Sequence, residues 1–282
     1  MTPDQPPDLL VVQNLAISFG GLRAVDDMSL TIRQGSIAGL IGPNGAGKST
    51  LFNLIAGYHR PDAGRVFLAG EEITGKPPHV LFGKGLLRTF QIAREFSTLT
   101  VRENLMMVPP RQTGETYLGA LLRPARVRAE ERALRDKADD ILDFLQIPHV
   151  ADLPAGSLSG GQKKLLELGR TMMAEPKIVF LDEVGAGVNR TLLYTIADAI
   201  RRLNRERGYT FCLVEHDMQF IAELCDDVTC MAEGRLLARG TVDTILSDEA
   251  VIAAYLGKGR AAKGVRRRMI WNRWPDFGAE SS

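Results

Sequence analysis

A lysine followed by two hydroxyl residues, at the end of a glycine-rich turn, is the first place where residue types and spacing could do chemistry. The stretch "GPNGAGKST", Gly42 to Thr50, fits G-x-x-x-x-G-K-[ST] between a strand pattern and a helix pattern. Gly42, Gly45 and Gly47 let the backbone through Pro43, Asn44 and Ala46 curl so that its N–H groups surround phosphates. Lys48 is expected to reach the β- and γ-phosphates, and Ser49, beside Thr50, to ligate Mg²⁺. The motif alone indicates a nucleoside triphosphate and leaves kinase, GTPase and ATPase open.

Three other clusters fit the same site. In "IVFLDE", Ile178 to Glu183, four apolar residues form a buried strand that delivers two carboxylates to its C-terminal end, where ligands of α/β sheets bind. Asp182 suits the Mg²⁺ shell, and Glu183 suits a general base acting on the attacking water. Alone, the pair would read as a strand ending in a charged turn; the phosphate loop gives it a role. "CLVEHDM" repeats the pattern with Glu215, His216 and Asp217, and His216 is placed to contact the γ-phosphate. "LRTFQ" ends a further strand at Gln91, whose amide can touch Mg²⁺ or the water.

The stretch "LSGGQKKLLELGR", Leu158 to Arg170, reads as a helix from Gln162 onward, with Leu165, Leu168 and Met172 at helical spacing. Gly160 and Gly161 stand where that helix begins, although each glycine costs roughly 1 kcal/mol relative to alanine in a helix. Ser159 and Gln162 fit a capping box, S-x-x-Q, which accounts for the serine and the glutamine but not for both glycines. Glycines at a helix start allow close approach to an end that attracts anions.

Elements must position these groups. Short β-like runs fill residues 9–40, then Ser36 to Gly42 reads as a buried strand, "GKSTLFNLIAGY" as a helix and "GRVFLAGEEI" as another strand. From about Thr98 to Leu153 the character turns helical, in "VRENLMMV" and "AEERALRDKADDILDFLQI". The stretch "PPRQTGETYLGALLRPAR" between them carries no clear pattern. Strands return with "KIVFLDE" and "TFCLVEH". Strand–helix alternation predicts an α/β core with a parallel sheet, interrupted by a helical insertion.

Composition narrows the setting. The chain has 282 residues, with 35 Lys plus Arg against 34 Asp plus Glu, so overall charge says nothing about partners; no nucleic-acid partner is expected. The three cysteines, Cys212, Cys225 and Cys230, form no CxxC pair and read as reduced thiols. The start "MTPDQPPDLL" lacks the pattern of a signal peptide, and no apolar run approaches the ~18 residues of a membrane helix. Any membrane role is therefore expected to require other subunits. Residues 258–282 hold seven basic residues against two acidic ones, with both tryptophans, Trp271 and Trp274. They read either as a solvated tail or, over 258–274, as a segment that docks onto anionic lipid headgroups or a membrane partner.

Taken in order, "GPNGAGKST", Gln91, "LSGGQ", "LDE" and His216 resemble the nucleotide-binding subunit of ATP-binding cassette (ABC) transporters, over about residues 9–257. "RTFQ", "VRENL", "GVN", "EHDM" and "AYLG" look most like the cassettes of importers of branched-chain amino acids, urea and short amides. The resemblance implies a phosphate-loop (RecA-like) core over 8–92 and 163–257, a helical subdomain over 93–162, and a small N-terminal antiparallel β region. It implies ATP and Mg²⁺ as ligands, Phe19 stacking on adenine, and Asn189 at the D-loop position. It also implies a second cassette, a copy or a paralogue, packed head to tail, so that Ser159, Gly160, Gly161 and Gln162 face the γ-phosphate held by the partner. Transmembrane permease subunits would hold the pair peripherally on the cytoplasmic face of the inner membrane. Two departures stand out: Val184 replaces the usual proline after the "DE" pair, and "GVN" replaces the more usual ending in Asp.

Overall fold

The computed structural model of the chain describes residues 6–89, 95–110, 112–115, 124–185 and 190–256. Gln91, Asn189 and the basic tail 258–282 lie outside the described residues.

In chain order the strands are β1 (Asp8–Phe19), β2 (Leu22–Arg33), β3 (Ile37–Ile41), β4 (Ala63–Leu68), β5 (Glu71–Glu72), β6 (Leu86–Arg88), β7 (Ile178–Asp182), β8 (Thr210–Val214), β9 (Asp227–Ala232) and β10 (Arg235–Gly240). The α-helices are α1 (Lys48–Ile55), α2 (Pro78–Gly83), α3 (Val101–Met106), α4 (Pro124–Phe144), α5 (Gly160–Met173), α6 (Arg190–Arg207), α7 (Met218–Leu224), α8 (Val242–Ser247) and α9 (Glu249–Leu256).

The unbroken apolar runs become the middle of one sheet, ordered β10-β9-β3-β8-β7-β6. Its strands from β9 to β6 are parallel, and β10 is antiparallel to β9. Such strands are covered on both faces, so they cannot alternate apolar with polar. The period of two instead sorts residues between two cores. Ile41, Val179, Leu181, Phe211 and Leu213 face one core, shared with α3 to α7. Leu40, Ile178, Phe180, Cys212 and Val214 face the other. That second core is closed by the antiparallel sheet β2-β1-β4-β5, with α1 supplying Leu51, Phe52, Leu54 and Ile55. Phe52 meets Phe180 edge to face at 4.7 Å. Each such burial contributes roughly 1.5–3 kcal/mol relative to exposure. The strand tips are thus fixed between two packed layers.

The described part of helix α4 reaches back to Pro124, inside the stretch without a pattern. Helix α5 begins at Gly160 with Ser159 as its cap, earlier than Gln162. It runs through position 162, so one rigid element joins the insertion to the core.

Candidate active site

The glycine-rich turn is held in place from outside. Gly42 has φ 151, and a Cβ there would lie 2.2 Å from the Met231 carbonyl oxygen. Gly47 has φ 99, and its Cβ would lie 2.4 Å from the Ala24 oxygen. Only glycine fits at these two positions. Gly47 also caps α1 and offers no side-chain acceptor to the first N–H groups of that helix. The unpaired donors and the helix dipole therefore face the mouth of the loop. Lys48, 6% exposed, donates from Nζ to the carbonyls of Gly42 at 2.8 Å and Pro43 at 3.0 Å. Burial pulls its pKa below the ordinary lysine range, and the carboxylates of Glu183 and Asp182 are near enough to oppose that pull. Asn44, Gly45 and Ser49 are exposed at the rim, and Ala46 is buried beneath it.

The tips of β7 and β8 bring the charged groups together. Glu183 Oε1 lies 2.9 Å from His216 Nε2, in a hydrogen bond between the two side chains. Glu183 holds a left-handed φ of 51, and its N–H donates to the Val214 carbonyl at 2.9 Å. Such a conformation strains a residue with a side chain, and strain of this kind clusters at working sites. Asp182 is buried and pairs through Oδ2 with Arg88 Nη2 at 2.6 Å. Among the described residues no group of three His, Cys, Asp or Glu could hold a metal ion. Mg²⁺ is a hard cation usually bound by one or two protein oxygens together with substrate phosphates. The Ser49 hydroxyl and the Asp182 carboxylate are donors of that kind. At the end of β1, the Phe19 ring is 46% exposed and meets His59 edge to face at 5.3 Å.

The turn before α5 is simpler. The Gln162 N–H donates to Ser159 Oγ at 3.3 Å, and the Ser159 N–H donates to Gln162 Oε1 at 3.0 Å, completing the expected capping box. The two glycines part company. A Cβ on Gly161 would lie 2.9 Å from the Leu192 side chain of α6, so that glycine makes room for packing within the chain. A Cβ on Gly160 would meet nothing within 4 Å.

A family model for "ABC transporter" matches residues 25–186, and one for "Branched-chain amino acid ATP-binding cassette transporter" matches residues 235–261. The chain is 39% identical over 249 residues to the "Probable branched-chain amino acid transport ATP-binding protein LivG" of Archaeoglobus fulgidus, across 88% of this chain and 95% of that protein. It is 37% identical over 250 residues to the "High-affinity branched-chain amino acid transport ATP-binding protein BraF" of Pseudomonas aeruginosa, across 89% of this chain and 98% of that one. The chain belongs to the ABC transporter family. The crystal structure of the ADP conformation of an ATP-binding cassette of an ABC transporter matches it with a TM-score of 0.76 at 36% identity, covering 89% of this chain and 100% of that one.

Around the loop Gly42 to Thr50 the cassette holds groups to which motif reading gave no role. Arg88, at the tip of β6, pairs with Asp182 and also with the Asn53 side chain, and lies 5.7 Å from the Tyr58 ring centre. Its signal was a lone charge inside the apolar run "GLLRTF". Glu215 is 4% exposed and accepts the Gly185 N–H at 2.8 Å, tying Gly185 to the end of β8. Burial pushes its carboxyl above the usual range; backbone hydrogen bonds from Gly185 and His216 oppose this, and the charge of Glu183 adds to it. Asn104, fully buried, accepts the Phe96 N–H and donates to the carbonyls of Phe96, Leu99 and Thr100. With the Lys163–Glu95 pair at 2.6 Å, it anchors the chain just beyond Gln91. Next to this anchor a cavity of about 460 Å³ opens between β6 and α5, lined by Tyr58, Phe82, Arg88, Val108, Glu167 and Arg170 among others.

Proposed function

We propose that this cassette is the ATP-binding, ATP-hydrolysing subunit of a membrane importer for branched-chain amino acids or related small solutes. The observation that carries this reading is the convergence of Lys48, Asp182, Glu183 and His216 at the ends of the adjacent strands β3, β7 and β8. Gly42 to Thr50 wrap the phosphates, and Phe19 stacks on the adenine. Ser49, Asp182 and Gln91 would hold Mg²⁺, which would neutralise charge on the phosphate oxygens. Glu183 takes the proton of the attacking water, and His216, hydrogen-bonded to it, fixes its carboxylate toward the γ-phosphate.

The site is completed by a second cassette, a copy or a paralogue. Ser159 and Gly160 of one chain approach the γ-phosphate held by the other; the open space at Gly160 supports this. The helical subdomain 93–162 moves with that approach, against a core of 8–92 and 163–257. A short helix of a transmembrane permease subunit sits in the cavity between β6 and α5, lined by Arg88, Val108 and Arg170 among others. Among the described residues no helix is long and apolar enough to cross a membrane, so attachment runs through this contact, aided by residues 258–274 on anionic lipid.

The test is Glu183→Gln. ATP affinity is expected to persist while turnover falls by about 10²–10⁴-fold, the usual contribution of a positioned general base. Near-normal turnover in that variant removes Glu183 from the role.

A further inference from the structure

The "AYLG" stretch lies within the C-terminal family match over residues 235–261, and nothing in the phosphate-loop chemistry requires it. Its tyrosine lies 213 positions after Gly42 in sequence, yet the Gly42 N–H donates to Tyr255 Oη at 2.7 Å. We infer that Tyr255 is a positioning residue for the phosphate loop, through which the C-terminal helix α9 sets the affinity of the cassette for ATP. The inference rests on Gly42 to Thr50 being the phosphate site.

Helix α9 is seated independently of the loop. Asp248 Oδ1 accepts the N–H groups of Ala250 and Val251 at 2.8 and 3.0 Å, capping the helix. Val251 is 4% exposed and joins the large core; Tyr255, one turn later on the same face, packs against that core. The phenol therefore reaches Gly42 from a fixed base. Burial pushes its pKa up to about 12, so it is neutral at physiological pH and accepts the N–H as a hydroxyl.

Gly42 is the residue where this matters. Its peptide groups are engaged on both sides: the N–H goes to Tyr255, and the carbonyl accepts Lys48 Nζ at 2.8 Å. Met231 of β9 blocks any side chain at this position. At the other side of the turn, the Gly234 N–H donates to the Ala46 carbonyl at 3.0 Å. The segment from β9 to α9 thus grips the loop at both ends, and Tyr255 does so through a side-chain hydrogen bond. Within the chain, the first glycine of the loop, the phosphate-seeking lysine and the C-terminal helix form one hydrogen-bonded series. Sites joined in this way are thermodynamically linked, and the link is reciprocal.

The experiment compares full-length Tyr255→Phe with the parent chain and with Lys48→Ala. The readouts are ATP affinity in the presence of Mg²⁺ and thermal stability without nucleotide. Phenylalanine keeps the ring packing and removes the acceptor. ATP affinity is expected to fall about 3–10-fold, the range set by one net hydrogen bond. Affinity within twofold of the parent, with Lys48→Ala binding no ATP, overturns the inference and leaves the phosphate site standing. Unchanged affinity in both variants overturns the phosphate site itself. Hydrogen exchange on the unaltered protein gives a second measure that does not depend on how the variant folds. Mg²⁺·ATP is expected to slow exchange over residues 249–256, and equal exchange with and without it overturns the inference.

Discussion

Two glycine-bearing turns lead into helices in this cassette, and they are built in opposite ways. Before α1, Gly42 and Gly47 are forced by neighbours in the same chain. Carbonyl oxygens of Met231 and Ala24 occupy the space of any side chain, and Lys48 and Tyr255 bind the Gly42 peptide from either side. Before α5, the contacts recorded for Ser159 and Gln162 are those of the capping box and the first helical turn, and Gly160 faces open space. The first turn is complete within the chain. The second satisfies its own backbone and offers a bare glycine outward, as a surface meant for another molecule would.

The largest expected effect sets the two turns against each other. Lys48→Ala is expected to abolish most ATP binding by the isolated cassette, because the ammonium belongs to that chain's own phosphate site. Ser159→Arg is expected to leave isolated binding within about twofold while turnover in the assembled transporter falls at least as far as in Lys48→Ala. Its bulk enters the space that Gly160 leaves open. Suppose Ser159→Arg, still folded, loses isolated binding as severely as Lys48→Ala. Then the turn before α5 touches its own nucleotide, and the contrast between the turns fails.

Stability separates the same two regions. Arg88 and Asp182 pair at the phosphate site with side chains only 13% and 10% exposed. Removing one partner of such a pair strands a buried charge and costs about 3–5 kcal/mol. Arg88→Met also removes the hydrogen bond to Asn53 and the cation beside Phe52 and Tyr58, so a loss of that size in chemical denaturation reports the Arg88 cluster as a whole. Lys163, in the first turn of α5, is 29% exposed where it meets Glu95, itself 14% exposed, and Lys163→Met is expected to cost less than Arg88→Met because the lysine end of the pair stays in contact with solvent. Equal losses in the two variants contradict the view that one region is internally braced and the other outward-facing.

How much of this was legible follows from sequence distance. The phosphate loop, the "LDE" strand and the capping box are local, so residue types and spacing define them. The central strands were legible because burial on both faces leaves unbroken apolar runs. The Arg88–Asp182 pair spans 94 positions and the Tyr255–Gly42 bond 213, and only the order of strands in the sheet brings these residues together. The glycines of "LSGGQ" were legible as an anomaly but could not be told apart, because Leu192 of α6 packs on one of them alone.

A smaller effect belongs to the strand tips. Glu215 has its carboxyl raised in the folded state from a reference of 4.5, mainly by burial. The folded chain therefore binds this proton more tightly than the unfolded chain. The contribution is unfavourable once the pH exceeds the raised value, builds up between 4.5 and that value, and vanishes below. Glu215→Gln keeps an oxygen for the Gly185 N–H and removes the charge. Its urea midpoint is expected to exceed that of the parent at pH 8 and to match it at pH 4. A lower midpoint at pH 8 shows instead that the ionised carboxylate is held favourably.

The smallest effect is the most direct probe of the turn before α5. Gly160→Ala places a methyl group where no atom lies within 4 Å, at a position whose φ is not left-handed. Folding is expected to gain about 0.4–1 kcal/mol, because alanine restricts the unfolded chain more than glycine does. Gly161→Ala is expected to gain less than Gly160→Ala, since its methyl meets the end of the Leu192 side chain at 2.9 Å and that side chain must shift. A glycine that weakens its own chain and touches nothing in it is explained if something outside comes close. The decisive measurement is turnover of Gly160→Ala in the assembled transporter, alongside its denaturation midpoint. Raised stability with reduced turnover assigns the space at Gly160 to the partner's phosphate. Raised stability with full turnover shows that the space is spare, and the head-to-tail site then rests on Ser159 alone.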